Sequence, residues 1–133
     1  MTTWTSDELK RIEKAEELQV ASFRGDDTLR NWAIIWMVRV GDDIYARSVN
    51  GRTSAWFRGM QTRHKGRMRA GGVVKDVTFV EEFDPGINDQ INDAYRTKYS
   101  RYAESILNHI NGSDARAATI KLVPQDDEDK LQR

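Results

Sequence analysis

The sequence contains no cysteine, which excludes disulfides, thiol nucleophiles and thiolate metal sites. Its two histidines, His64 and His109, sit in no metal-ligand spacing such as HExxH or a zinc ribbon, so both read as surface or structural residues. There is no GxSxG nucleophile elbow and no GxxxxGKS/T phosphate loop. Classical nucleophilic hydrolysis therefore has no visible machinery. An excess of one charge is lacking as well, because 21 Lys and Arg balance 21 Asp and Glu. No global field draws the chain to nucleic acid or anionic lipid, and any anion site must come from local clustering. No apolar run approaches a membrane span, and Met1–Lys14 lacks the apolar core of a signal peptide. A cytoplasmic protein without membrane contact is the expectation.

The chain's 133 residues, 38% apolar and 32% charged, fit one soluble domain. At this length roughly two-thirds of the unfolded surface can be buried. Residues 1–124 are expected to form the domain, and Gln125–Arg133 a polar, disordered tail.

Thr5-Ser6-Asp7-Glu8 reads as a capping box that opens a helix running to about Glu17. Leu18–Arg24 reads as a strand, closed by the turn at Gly25-Asp26-Asp27. Trp32–Val40 (WAIIWMVRV) is rich in β-branched and aromatic residues and apolar on both faces, which predicts a central strand. Gly41-Asp42 turns it into a partner strand, Ile44–Val49. Ser54 is placed to cap a helix over Ala55–His64. Arg67–Ala70 and Val73–Val80 form a hairpin about Gly71-Gly72. After the breaker Asp84-Pro85-Gly86, Asn88–Ile110 keeps helical spacing as one long helix, with Tyr95, Tyr99 and Tyr102 as packing residues. Ala117–Val123 is a last strand. The pattern predicts an α+β fold with an antiparallel sheet and segregated helices, or six short strands curled into a small barrel.

Paired acids at Asp26-Asp27, Asp42-Asp43, Glu81-Glu82 and Asp126-Asp127 read as solvated turn charges. The run Arg58–Arg69 contains no acid and offers a route to nucleic acid, which a neutral chain and the absence of a recognised motif place last. The stretch Tyr45–Gly59 (YARSVNGRTSAWFRG) carries more chemistry. Arg47 and Ser48 end a strand, Asn50-Gly51 turns, Arg52 follows, and a helix begins. Free N–H groups at such a turn, with forked arginine donors, suit an anion such as phosphate. A simple corner with exposed arginines is the alternative.

Several segments together resemble the bacterial domain-of-unknown-function 2255 family. They are Trp4–Leu9, Ile35–Gly59, Arg67–Val80, Ile91–Tyr102 and Thr119–Pro124. That family looks like the flavin-binding split β-barrels, which include pyridoxamine phosphate oxidases and deazaflavin-dependent nitroreductases. The resemblance implies an antiparallel six-stranded Greek-key split barrel with flanking helices, a homodimer, and FMN or deazaflavin in a cleft at the dimer interface. Tyr45, Ser48 and Arg52 fall where the oxidases hold phosphate. Ser48, Gly51 and Trp56 are similar to the serine-glycine turn and helix tryptophan of the deazaflavin relatives.

On that resemblance the cofactor-binding residues are Trp36, Arg47, Ser48, Asn50, Gly51, Arg52 and Trp56. The protein would be a reductase of a small organic substrate, with the cofactor ring carrying the hydride. The alternative is a barrel without a cofactor that binds a small ligand or serves as a dimerisation module.

Overall fold

The computed structural model describes residues 3–125. The predicted capping box opens α1 (Ser6–Lys14): Glu8 N donates to Thr5 Oγ1 at 3.1 Å, and Thr5 N donates to Glu8 Oε1 at 2.9 Å. The helix buries Leu9 and Ile12 and stops short of the expected Glu17. The chain then enters β1 (Leu18–Ser22).

One predicted strand becomes two. The run 33–40 divides into β2 (Ala33–Ile35) and β3 (Met37–Val40) at Trp36. The Trp36 carbonyl accepts a hydrogen bond from Tyr95 Oη at 3.0 Å, so it is drawn out of the ladder. Each half keeps a different neighbour: β2 pairs with β1, and β3 with β4 (Asp43–Arg47). The run is therefore not a central strand. It supplies both ends of the sheet.

Beyond Ser54 the chain forms α2 (Ala55–Arg63), then β5 (Lys65–Ala70) and β6 (Val73–Glu81), joined at Gly71-Gly72 with both glycines at positive φ. The final strand is β7 (Thr119–Pro124). All pairings are antiparallel, in the order β2-β1-β5-β6-β7-β4-β3. Because the first and last members of that order are two halves of one bent run, the sheet is a nearly closed barrel. The architecture is the predicted α+β split barrel, and the bend at Trp36 accounts for seven strands instead of six.

The single long helix expected over Asn88–Ile110 is broken. Asp84 Oδ2 caps α3 (Pro85–Lys98) by accepting from Ile87 N at 2.8 Å. The helix ends at Tyr99, and α4 (Glu104–Ile110) and α5 (Ser113–Arg116) follow. Helical spacing alone could not show the break, because Tyr99 and Tyr102 pack on either side of it against one partner. The Tyr99 hydroxyl donates to Glu16 O at 2.8 Å, and the Tyr102 hydroxyl bonds Glu16 Oε1 at 2.5 Å. Two apolar clusters result. The barrel interior joins Leu18, Met37, Phe57, Met60 and Ile120, while Val38, Tyr45, Ile91, Tyr95 and Tyr99 pack α3 onto the outer face.

Gln125, predicted to begin the tail, is buried, and its N–H donates to Asp76 O at 2.9 Å. The rest of the predicted tail lies outside the described residues. Among the described residues no helix is long and apolar enough to cross a membrane.

Candidate functional site

A cavity of about 430 Å³ opens where the bent run passes the end of β4 and the start of α2. Trp36 and Trp56 contribute to its wall, Ile34, Ile35, Ile106 and Ile110 supply apolar surface, and Ser48, Asn50 and Ser54 supply polar groups. Glu17 is its one carboxylate. Mostly apolar walls with a few convergent polar groups are the usual character of small-molecule sites. Five of the seven predicted residues meet here: Trp36, Arg47, Ser48, Asn50 and Trp56. Gly51 and Arg52 do not line the cavity.

Trp36 is held from behind. Its ring stacks on Tyr99 with centroids 3.9 Å apart and planes 2° apart, and Tyr102 lies tilted at 4.6 Å. The Ser48 and Ser54 hydroxyls lie 2.6 Å apart. Ser54 was expected to cap α2, but its side chain makes no cap bond. Its hydroxyl joins Ser48 at the cavity wall instead.

Arg47 touches the cavity but is only 1% exposed. Its Nε donates to Thr119 Oγ1 at 2.9 Å, Nη1 reaches Asn92 Oδ1 at 2.6 Å and Asn111 Oδ1 at 3.0 Å, and Nη2 reaches Asn88 Oδ1 at 3.0 Å. Burial pushes its pKa down to about 10, still above neutrality, so it remains a cation satisfied by amide oxygens. It ties β4, β7, α3 and α4 together, and its donors are already engaged.

Arg52 is turned elsewhere. Its Nη1 donates to Glu81 Oε1 at 2.6 Å and to Ala117 O at 2.9 Å, and its guanidinium lies over Phe57 and Phe83. That pairing turns the Arg52 guanidinium away from the cavity, which it was expected to face. Gly51 is buried at φ +85 in a 3-10 turn, Gly51–Thr53, where a Cβ would meet Asp114 Cβ at 3.4 Å. Its role visible here is to make the turn.

Beyond Trp56 lie two further cavities of about 390 Å³ each. Trp56 and Arg30 line the first together with Ser22, Arg24 and Trp32. Arg30 lines the second with Arg58, Gly59 and Thr62. Neither lining contains an acid. Gly59 lies inside α2, where glycine costs roughly 0.5–1 kcal/mol relative to alanine. A Cβ there would come 2.8 Å from Arg30 Cδ and 3.0 Å from Arg30 Nε. A glycine inside a predicted helix is one sequence signal for this region; basic residues near the first strand, Arg24 and Arg30, are another, on the family resemblance.

The acid-free run is not a continuous basic stripe. Arg63 pairs with Asp27 at 2.6 Å, Arg67 pairs with Asp76 at 2.7 Å, and Arg69 stacks over Trp32 at 4.0 Å. Among the described residues no group of three or more His, Cys, Asp or Glu is placed to hold a metal ion.

Residues 8–122 match the family described as "Uncharacterized protein conserved in bacteria (DUF2255)". The chain belongs to that family. No curated protein matches it significantly. The DUF2255 chain shares its fold with solved structures at low identity. The heme storage protein HutZ from Vibrio cholerae has a TM-score of 0.63 at 12% identity, over 88% of this chain and 87% of that one. A pyridoxamine 5′-phosphate oxidase candidate from Listeria innocua has a TM-score of 0.62 at 16% identity, over 89% and 90% of the two chains. An FAD-binding protein from Mesorhizobium loti has a TM-score of 0.55 at 16% identity, over 93% and 92%. At such identities the likeness is one of fold, the split barrel.

Proposed function

We propose that this DUF2255 protein binds a flavin or deazaflavin, such as FMN, in the cavity walled by Trp36 and Trp56, and uses it to reduce a small organic substrate. One observation carries the reading: the cavity is of ligand size and mostly apolar, and its two tryptophans and few polar groups suit a flat heteroaromatic ring. The flavin-binding and oxidase neighbours support it by analogy of fold, a weaker warrant.

The donor set fits such a ring. Trp36 offers an aromatic surface that cannot swing away while Tyr99 stacks on it. The paired hydroxyls of Ser48 and Ser54 and the amide of Asn50 offer donors and acceptors for ring heteroatoms. Arg47 acts as a positioning residue that fixes the end of β4, and so the place of Ser48. A bound flavin-type ring supplies the hydride chemistry, while the chain supplies position and exclusion of water.

The cavity rim leaves Ile34 62% exposed and Ile106 45% exposed. A second copy covering this rim would complete a homodimer, and sedimentation velocity tests that assembly. The cytoplasm is the compartment expected for such a reductase.

A specific observation weighs against heme, the cargo of the HutZ neighbour. No His, Cys, Met or Tyr, the protein ligands of heme iron, lines the cavity.

Titration with FMN and with a deazaflavin, followed by cofactor and tryptophan fluorescence, tests the proposal. Saturable quenching that is lost in Trp36→Leu supports it. Folded protein that quenches neither cofactor leaves a ligand-binding or dimerisation barrel without redox chemistry.

A further inference from the structure

The side chain of Arg30 is closely placed but has no hydrogen-bond or ion-pair partner among the described residues. Its backbone N–H donates to Ser22 O at 2.9 Å, fixing the loop to β1. Its stem then crosses α2 at Gly59, in space that any Cβ would take. Its Nε is buried and makes no hydrogen bond, the one such side-chain nitrogen or oxygen among the described residues. A buried charged donor left unpaired is strongly unfavourable, so its natural completion is an acceptor supplied by a ligand. Arg58, across the second cavity, has no ion pair among the described residues. The cavities that share Arg30 thus gather Arg24, Arg30 and Arg58 with no acid, in a chain of zero net charge.

Trp56 lines both the ring cavity and the first of these two. We infer that Arg30 receives a phosphate of the bound ligand, and that the ligand continues past it toward Arg58 as a diphosphate or phosphodiester. The anion end of the site is therefore on the Arg30 side of Trp56, not at Arg52. The inference rests on the proposed function for the ring, while the arginine cluster is independent of it.

The test compares riboflavin, FMN and FAD, which carry no, one and two phosphates on one ring, in fluorescence titrations of the full chain. Inorganic pyrophosphate is titrated separately by calorimetry. The expected order is FAD tighter than FMN and FMN tighter than riboflavin, by about tenfold at each step, the scale of a charged hydrogen bond. Arg30→Gln should collapse the step between FMN and riboflavin, and Arg58→Gln only the step between FAD and FMN. If Arg30→Gln does not fold, Gly59→Ala replaces it. The added Cβ displaces the flexible Arg30 stem and presses on the Ser22 hydroxyl while raising helix propensity, so FMN affinity should fall in a protein that still unfolds cooperatively.

Equal affinity for the three flavins would overturn the subsite and leave the ring site standing. So would a ladder that survives Arg30→Gln or Gly59→Ala. FMN bound as tightly as FAD would overturn the extension toward Arg58. Pyrophosphate binding that is lost in Arg30→Gln, with no flavin bound, would keep the anion subsite and remove the flavin reading. Absence of both would remove both.

Discussion

Trp36 and Tyr99 stack face to face, 3.9 Å between centroids and 2° between planes. Trp36 is the residue at which the long run bends, and Tyr99 is the residue at which α3 stops. The contact joins the two irregularities of the fold, and it presents the tryptophan to the ring cavity. Tyr99→Phe keeps the stack but removes a hydroxyl that serves Glu16 O, Met37 N and Met37 O. A loss of about 1–2 kcal/mol in urea unfolding is expected, with ligand quenching retained. Tyr99→Ala should cost about 3–5 kcal/mol and lose the quenching as well. Equal stability of the two variants would show that the stack contributes nothing.

Arg47 offers a test of structural charge. Removing its guanidinium leaves the side-chain oxygens of Asn88, Asn92, Asn111 and Thr119 without their shared donor. Arg47→Ala should destabilise by about 3–5 kcal/mol, the scale of breaking a buried charge network. Arg47→Lys should rescue little, because one ammonium cannot replace a fork spread over several elements. A lysine variant with wild-type urea midpoint would refute this.

Trp56 and Arg52 separate a cavity residue from a neighbour in sequence. Trp56→Ala should weaken FMN binding about tenfold or more, as expected for a lost stacking wall. Arg52→Ala should leave the dissociation constant nearly unchanged. Its pair with Glu81 is partly exposed, so the stability cost should stay within about 0.2–1 kcal/mol. A large fall in affinity on removing Arg52 would restore it to the site.

Lys98 gives a pH dependence. Burial, opposed by Glu16 and Glu13, lowers its pKa from 10.5 to about 8, while its Nζ donates to Met37 O at 3.0 Å. Below pH 8 the lysine is charged in both the folded and unfolded states. Between pH 8 and 10.5 the unfolded chain holds the proton that the folded chain has released. Stability relative to Lys98→Met should therefore rise with pH across that window. Urea midpoints of both proteins measured across it check the sign, and a constant difference between the two would refute it.

Much of the barrel was legible in the chain. Alternating β-branched residues, glycine turns and the helix start at Thr5 are local signals, and local physics decides them, whereas the helix expected from Asn88 begins at Pro85, capped by Asp84. The Tyr45–Gly59 stretch was legible as a candidate site because arginine, serine, asparagine and tryptophan cluster there within a few residues. What each arginine does was not legible. Arg47, Arg52 and Arg30 are alike in sequence, and their roles depend on which distant groups the fold brings to them. Asparagines of α3 and at the end of α4 claim Arg47, Glu81 of β6 claims Arg52, and none of the described residues claims the Arg30 side chain.

Composition excludes thiol chemistry, and short-range periodicity, which acts within a few residues, set the antiparallel elements. Where the long run bends, where the long helix breaks and which buried guanidinium nitrogen is left unpaired among the described residues were decided by the tertiary structure. Each of those depends on a hydrogen bond or ring contact between residues some sixty or more positions apart or on its absence, and no local pattern carries that information.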